Sequence, residues 1–253
     1  MKSRVRSFSL ADKLDVIIDS FIIKYTMIPK IIHQTYKVTS PLPEVYATCQ
    51  STILELHPDF EYKFWTDEDM FDEIKTNFPL YYEAFMALPR MIMRIDMFRY
   101  FLMYQYGGLY VDLDYMMFKP FDMLESDAKI VLPSNREECK NPTKYTCIGN
   151  SIFASEPNHP FWKMVIDTLF TNKREKYRTN QDVVNGTGPV FLYEMTKLWL
   201  EENPQRSSEI YVPPRYMFHP PTNTKPSMIK KLQHEKTNYG MHFCTGMWAN
   251  NKL

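Results

Sequence analysis

The residues best placed to do chemistry lie in one stretch, Arg94-Ile-Asp-Met-Phe-Arg-Tyr-Phe-Leu-Met-Tyr-Gln-Tyr-Gly-Gly-Leu-Tyr-Val-Asp-Leu-Asp114. Leu109–Leu113 reads as a strand. Its alternation puts Leu109, Val111 and Leu113 on one side and Tyr110, Asp112 and Asp114 on the other. Two carboxylates about 7 Å apart on one face, at the carboxyl end of a strand, are costly without a cation. A hard divalent ion, Mn²⁺ or Mg²⁺, satisfies both and also takes phosphate oxygens. His242 adds an imidazole suited to Mn²⁺ or to a phosphate. Asp96 and Arg99 are i, i+3 neighbours on a helix. The bland alternatives are a solvated strand end and a helix-surface ion pair worth about 0.5 kcal/mol.

The elements that must hold these groups follow from periodicity and punctuation. Ile95, Phe98 and Leu102 share one helical face, and Gly107 is placed to end that helix in a left-handed turn. Strands are expected at 30–35, 61–65, 109–113, 129–132 and 147–154, with short extended pieces at 210–212 and 239–243. Helices are expected over 43–57, in segments through 67–106 broken at Pro79 and Pro89, and over 161–170 and 190–201. Thr66 with Asp69 forms a capping-box pattern. Strands alternating with helices predict an α/β domain with a mostly parallel central sheet flanked by helices. Ligands of such sheets bind beyond the carboxyl ends of the strands. Residues 1–27 read as a helical extension, and 28–253 as a single domain.

The remaining polar positions carry weaker signals. Gly186-Thr-Gly-Pro189 opens a helix with Pro in its first turn, an arrangement that can offer backbone N–H groups to an anion or a sugar oxygen. Asp182 lies just upstream, and its carboxylate could bind substrate hydroxyls. The basic run 173–178 reads as a solvated helix end. Cys49, Cys139, Cys147 and Cys244 show no metal-binding or redox spacing.

Composition bounds the function. The chain has 253 residues, 44% of them apolar and 15% aromatic, so it can bury a sizeable core. Thirty basic residues balance thirty acidic ones, which removes the electrostatic signature of a nucleic-acid partner. No apolar run approaches the roughly 20 residues of a membrane span. Asp12, Asp15 and Asp19 interrupt the place where a signal peptide would have its apolar core. The expectation is a soluble, cytoplasmic chain, with the Golgi lumen as the alternative if the sequence is part of a longer protein; a viral or microbial source fits as well.

The string Asp96-Met-Phe-Arg99-Tyr followed by Tyr106-Gly-Gly-Leu-Tyr-Val-Asp-Leu-Asp114 resembles the signature of glycosyltransferases carrying the DXD motif, in particular family 32 and the related clostridial toxin glucosyltransferases. Ile28-Pro-Lys-Ile-Ile-His-Gln-Thr-Tyr36 resembles the family's first strand, and His242-Phe-Cys-Thr-Gly-Met-Trp248 its closing element. The resemblance implies a GT-A (Rossmann-like) fold, a nucleotide-sugar donor, a divalent cation and retention of anomeric configuration. It assigns Asp112 and Asp114 to the metal and donor, with His242 beside them, and Asp96 and Arg99 to the donor sugar. It places His33, Gln34, Thr35 and Tyr36 in the nucleotide pocket, Tyr110 and Gly188 near the substrate, and Trp248 over the diphosphate. A UDP-sugar is favoured because Tyr36 can stack a uracil, with GDP-mannose as the other donor. The acceptor would be a hydroxyl of a glycan, glycolipid or protein. Two rivals stand beside this reading. One is an aspartyl-phosphate Mg²⁺-dependent phosphatase, which lacks its later acidic pair here. The other is a non-catalytic sugar-nucleotide-binding module.

Overall fold

The protein is described by a computed structural model, which covers residues 28–122, 128–135, 148–171, 179–221 and 225–246. The amino-terminal helix expected before residue 28, Trp248, Cys139, Cys147 and the basic run 173–178 lie outside the described residues.

Eight strands are described: β1 Ile31–Thr35, β2 Glu61–Trp65, β3 Gly108–Val111, β4 Tyr115–Met117, β5 Ile130–Val131, β6 Ile152–Ser155, β7 Ile210–Tyr211 and β8 Gly240–His242. Six form the central sheet in the order β2-β1-β3-β6-β5-β7, and β4 pairs with β8 in a separate ribbon. β1 runs parallel to β2 and β3, and β5 parallel to β7. β6 alone runs against its neighbours. The sheet is therefore mostly parallel, as the alternation of elements implied.

The helices are α1 Glu44–Leu56, α2 Asp67–Asn77, α3 Tyr82–Met86, α4 Met91–Gln105, α5 Pro160–Thr171, α6 Asn180–Gly186, α7 Pro189–Glu202, α8 Arg215–Phe218 and α9 Pro226–His234. The start of α2 carries the capping box read from Thr66 and Asp69. The break at Pro79 becomes a 3₁₀ turn over Pro79–Tyr81.

Both faces of the sheet are covered, and period-2 alternation sorts the side chains between them. Tyr110, Phe153 and Ile130 pack into an aromatic-rich core with α4, α5 and α7. Leu109, Val111, Ile152, Ala154 and Val131 pack on the opposite side with Ile53 of α1, Tyr115 and Phe218. The Tyr110 and Phe153 rings stack at 5.3 Å, and Tyr100 stacks on Trp162 at 5.6 Å. α4 is buried nearly all round, which explains how Asp96 and Arg99 come to be interior residues.

Gly107 ends α4 with φ +62°, its N–H bonded to the Met103 carbonyl. Gly108 follows at φ +89°, so close to β1 that a Cβ would lie 2.5 Å from the Ile31 carbonyl oxygen. The Gly-Gly pair thus turns the chain from α4 directly into β3.

One expectation needs correction. The strand ends at Val111, and Asp112–Asp114 form a tight turn into β4, closed by the Tyr115 N–H on the Asp112 carbonyl at 3.1 Å. The carboxylates of Asp112 and Asp114 converge because the backbone turns, not because they alternate along a strand.

Candidate active site

The acidic turn opens into a cavity of about 530 Å³ at the carboxyl ends of β1 and β3, a volume suited to a small-molecule ligand. Its wall includes Thr35 at the end of β1 and Tyr36 after it, Asp96 and Arg99 from α4, Asn150 before β6, Gly188 at the start of α7, and His242 at the end of β8 with Thr245 beyond it.

The β4–β8 ribbon brings together groups far apart in sequence. Tyr115 faces His242 in its register. His242 Nε2 lies 2.8 Å from Asp114 Oδ1 and 3.8 Å from Asp112 Oδ2. The Thr245 N–H and hydroxyl donate to Asp114 Oδ2 at 2.9 and 2.8 Å. One ligand atom from each of Asp112, Asp114 and His242 fits within 4.8 Å of the others. Two carboxylates and an imidazole form a donor set for a hard to borderline divalent cation, so the residues present fit Mn²⁺ or Mg²⁺. Without the ion, an imidazolium offsets the acids. Burial lowers the His242 pKa, but the hydrogen bonds to Asp114 and Cys244 and the charge of the two aspartates carry it up to about 10. Burial raises the Asp114 carboxyl, and His242 and Thr245 outweigh it, holding the group at about 2.

Beside this triad sits a buried ion network. Arg99 lies 3.3 Å from both Asp96 Oδ1 and Asp112 Oδ1, and its guanidinium stacks 4.7 Å from the Tyr110 ring centroid. Its Nη1 donates to the Asn150 carbonyl. Its Nε is buried with no hydrogen-bond acceptor among the described residues. Asp96 accepts from Thr187 Oγ1 and Asn150 Nδ2, each at 3.0 Å. Burial raises the Asp96 pKa to about 6 against the opposing pull of Arg99. Asp112 is also raised, by burial first, with Arg99 working against it.

Sequence reasoning placed some residues differently. Tyr110 is fully buried and holds the acidic turn from behind, its hydroxyl 3.0 Å from Thr35 Oγ1 and 2.9 Å from Asp112 Oδ1. His33 and Gln34 do not line the cavity, because both faces of β1 are covered. His33 bridges the Gly107 carbonyl and the Trp65 indole N–H, while Gln34 Nε2 donates to the Val111 carbonyl. Both brace the backbone around β3. Asp182 is the N3 residue of a capping box on α6, accepting from the Thr179 N–H, and is not in the wall. Gly188 is in the wall, but its N–H is already bonded to the Val183 carbonyl rather than offered to an anion.

Asn150, Thr187, Thr245 and Tyr46 were not read as site residues. Thr187 and Thr245 lie inside motif strings whose neighbours drew attention. Asn150 and Tyr46 carry no local signal. Tyr46 reaches Thr245 Oγ1 at 3.0 Å and meets the Tyr36 ring edge-on at 5.4 Å.

Residues 43–131 match the family model described as "Glycosyltransferase sugar-binding region containing DXD motif". Over 196 residues the chain is 33% identical to mannosyl phosphorylinositol ceramide synthase CSH1 of Saccharomyces cerevisiae, covering 76% of this chain and 50% of that protein. It is 35% identical over 181 residues to inositol phosphoceramide mannosyltransferase 2 of Schizosaccharomyces pombe, covering 70% and 50%. The chain thus spans about half the length of these curated relatives. Among solved structures, PaToxG glycosyltransferase superposes with a TM-score of 0.52 at 18% identity, covering 76% of this chain and 78% of that one, a likeness of fold. With the DXD aspartates standing at Asp112 and Asp114, on the turn after β3, the chain belongs to the glycosyltransferase family defined by the DXD-containing sugar-binding region.

Proposed function

We propose that this protein transfers a hexose, mannose first among them, from a nucleoside-diphosphate sugar to a hydroxyl acceptor, with a divalent cation and with retention at the anomeric carbon. The observation that carries this reading is the convergence of Asp112, Asp114 and His242 in the wall that also holds the Asp96–Arg99 pair. A phosphatase needs the first set alone; a sugar-transfer site also needs a polar grip on the sugar.

Asp112, Asp114 and His242 are the residues that would hold Mn²⁺ or Mg²⁺. When bound, such an ion supplies Lewis-acid neutralisation of the departing diphosphate. Asp96 accepts from sugar hydroxyls, and Arg99, which shares the cavity wall with it, donates to a sugar oxygen. Thr187 and Asn150 keep the Asp96 carboxylate in place for this. Tyr36 supplies a face for the base. Retention follows if the acceptor hydroxyl attacks from the side the diphosphate leaves. The sugar–phosphate C1–O bond breaks, the new C1–O bond forms, and the acceptor proton passes to a phosphate oxygen. No protein nucleophile is required.

The relatives' names make an inositol phosphoceramide headgroup the first acceptor to try. Among the described residues no helix is long and apolar enough to cross a membrane. The test is incubation of the full chain with GDP-mannose, UDP-glucose and UDP-galactose, with Mn²⁺ or with chelator, following nucleoside diphosphate release and the anomer of the product. Mn²⁺-dependent release with a retained anomer is the expected result. Turnover of phosphate monoesters, or no response to any nucleotide sugar, would overturn the proposal.

A further inference from the structure

The cavity extends past the acidic turn to a charged pair that the sugar-transfer chemistry does not use. Asp67, the first residue of α2, and Lys37, just after β1, both line it. The sheet fixes where they lie. Thr35 stands opposite Trp65 in the β1–β2 register, and His33 opposite Tyr110 in the β1–β3 register. The ends of β2, β1 and β3 therefore lie in a row, and the Tyr36 N–H bonded to the Trp65 carbonyl continues it. Two strand spacings, about 10 Å, separate the β2 end from the acidic turn. That is the reach of a ribose and its base from a diphosphate held at Asp112 and Asp114.

The carboxylate of Asp67 is part-buried and makes no hydrogen bond among the described residues. Burial raises its pKa, and the charge of Lys37 opposes this. A part-buried carboxylate without donors favours a ligand that brings two of them. Tyr36, braced edge-on by Tyr46, gives the neighbouring ring face.

We infer that Asp67 and Lys37 read the base of the donor, and that the base they fit is guanine. Guanine presents an acceptor at O6 and donors at N1 and N2 along one edge. A carboxylate takes both donors at once, and an ammonium meets O6 and N7. Uracil presents acceptor, donor, acceptor, so one oxygen of a carboxylate facing its N3–H meets a carbonyl oxygen. Tyr36 stacks either base and does not choose between them; the choice falls to the Asp67–Lys37 pair. This inference rests on the nucleotide-sugar reading of the cavity.

The test is calorimetric binding of GDP, inosine diphosphate, xanthosine diphosphate and UDP to the full chain with Mn²⁺. GDP should bind about 10- to 100-fold more tightly than inosine diphosphate, which lacks the N2 donor, and than UDP. Asp67→Asn should reverse the order of GDP and xanthosine diphosphate, because an amide accepts from N1–H and donates to the xanthine O2. UDP binding as tightly as GDP in the unaltered protein would overturn the inference and leave the glycosyltransferase reading intact. An Asp67→Asn loss equal for all four nucleotides would assign Asp67 to the ribose or the fold instead. Failure of every diphosphate to bind would overturn both readings together. If Asp67→Asn does not fold, the exposed Lys37 serves in its place: Lys37→Met should narrow the gap between GDP and UDP, and an unchanged ratio would overturn the role of the pair.

Discussion

Binding of Mn²⁺ should tighten roughly tenfold per pH unit between pH 6.5 and 8.5 and release close to one proton per ion. The reason lies in one contact. His242 Nε2 carries a proton held 2.8 Å from Asp114 Oδ1, on an imidazole whose pKa stands at about 10. For that nitrogen to become a ligand, the proton must leave. Counted from His242, lifting it at pH 7 costs roughly 4 kcal/mol, at about 1.4 kcal/mol per pKa unit. Counted from Asp114, whose carboxyl His242 and Thr245 together hold at about 2, the pairing contributes roughly 2 kcal/mol. The smaller figure is the better guide, since both side chains retain some contact with water. It corresponds to a penalty of roughly 30-fold on ion affinity at neutral pH. Calorimetric titration in two buffers of different ionisation enthalpy reads the proton count directly. His242→Gln should flatten the pH dependence. An unaltered protein that binds Mn²⁺ with no proton released and with pH-independent affinity would show that His242 stays an imidazolium beside the ion, refuting its role as a ligand.

Three further outcomes follow from the same structure. Tyr110→Phe removes the hydroxyl shared by Thr35 and Asp112 and should cost about 1–3 kcal/mol in urea unfolding, while circular dichroism shows the fold retained. Gly240→Ala places a methyl 2.5 Å from the Met116 carbonyl oxygen, so thermal unfolding should show a loss of about 1–3 kcal/mol, with weaker Mn²⁺ binding because the β4–β8 ribbon carries His242 to Asp114. Stability should fall on acidification below pH 6.5. Burial holds His33 and His219 at about 3 and His159 at about 4, so the unfolded chain takes up protons that the fold refuses. Asp96, held at about 6 by burial, and His242, held at about 10 by its aspartates, work in the opposite direction because the fold takes up these protons first. The balance is a loss of about 2 kcal/mol between pH 6.5 and 5.5, readable as a falling thermal midpoint; a midpoint that rises over that interval would contradict it.

What could be read from sequence was what local rules encode. The 61–65 strand, the Thr66–Asp69 box and the Gly107 turn each depend on a few adjacent residues, and each stands as read. The pairing of Asp96 with Arg99 was visible as i, i+3 spacing, but its burial was not, because burial depends on Thr187 after α6, Asn150 before β6 and Tyr110 of β3 closing around the two side chains. The acidic turn was read as strand because alternation continues through Asp114. The turn at Asp112 shows only in the fold, where the Tyr115 N–H closes on the Asp112 carbonyl and β4 leaves the sheet to pair with β8. Alternation was equally silent on His33 and Gln34, since a strand covered on both faces buries its polar positions as well as its apolar ones. Asn150 escaped notice because its partners, Asp96 and Arg99, lie more than fifty positions away in sequence.

The two-stranded ribbon of β4 and β8 also governs when the site comes into being. Asp114 belongs to an early part of the chain, whereas His242 and Thr245 lie 128 and 131 positions later. The six-stranded sheet requires nothing beyond Tyr211, so its strands can pair before residues 240–245 have docked. Until then the aspartates stand without the imidazole and the threonine that steady them, and the cavity lacks one wall. A chain stopped short of residue 240 would keep every strand of the central sheet and lose the imidazole and the threonine that hold Asp114.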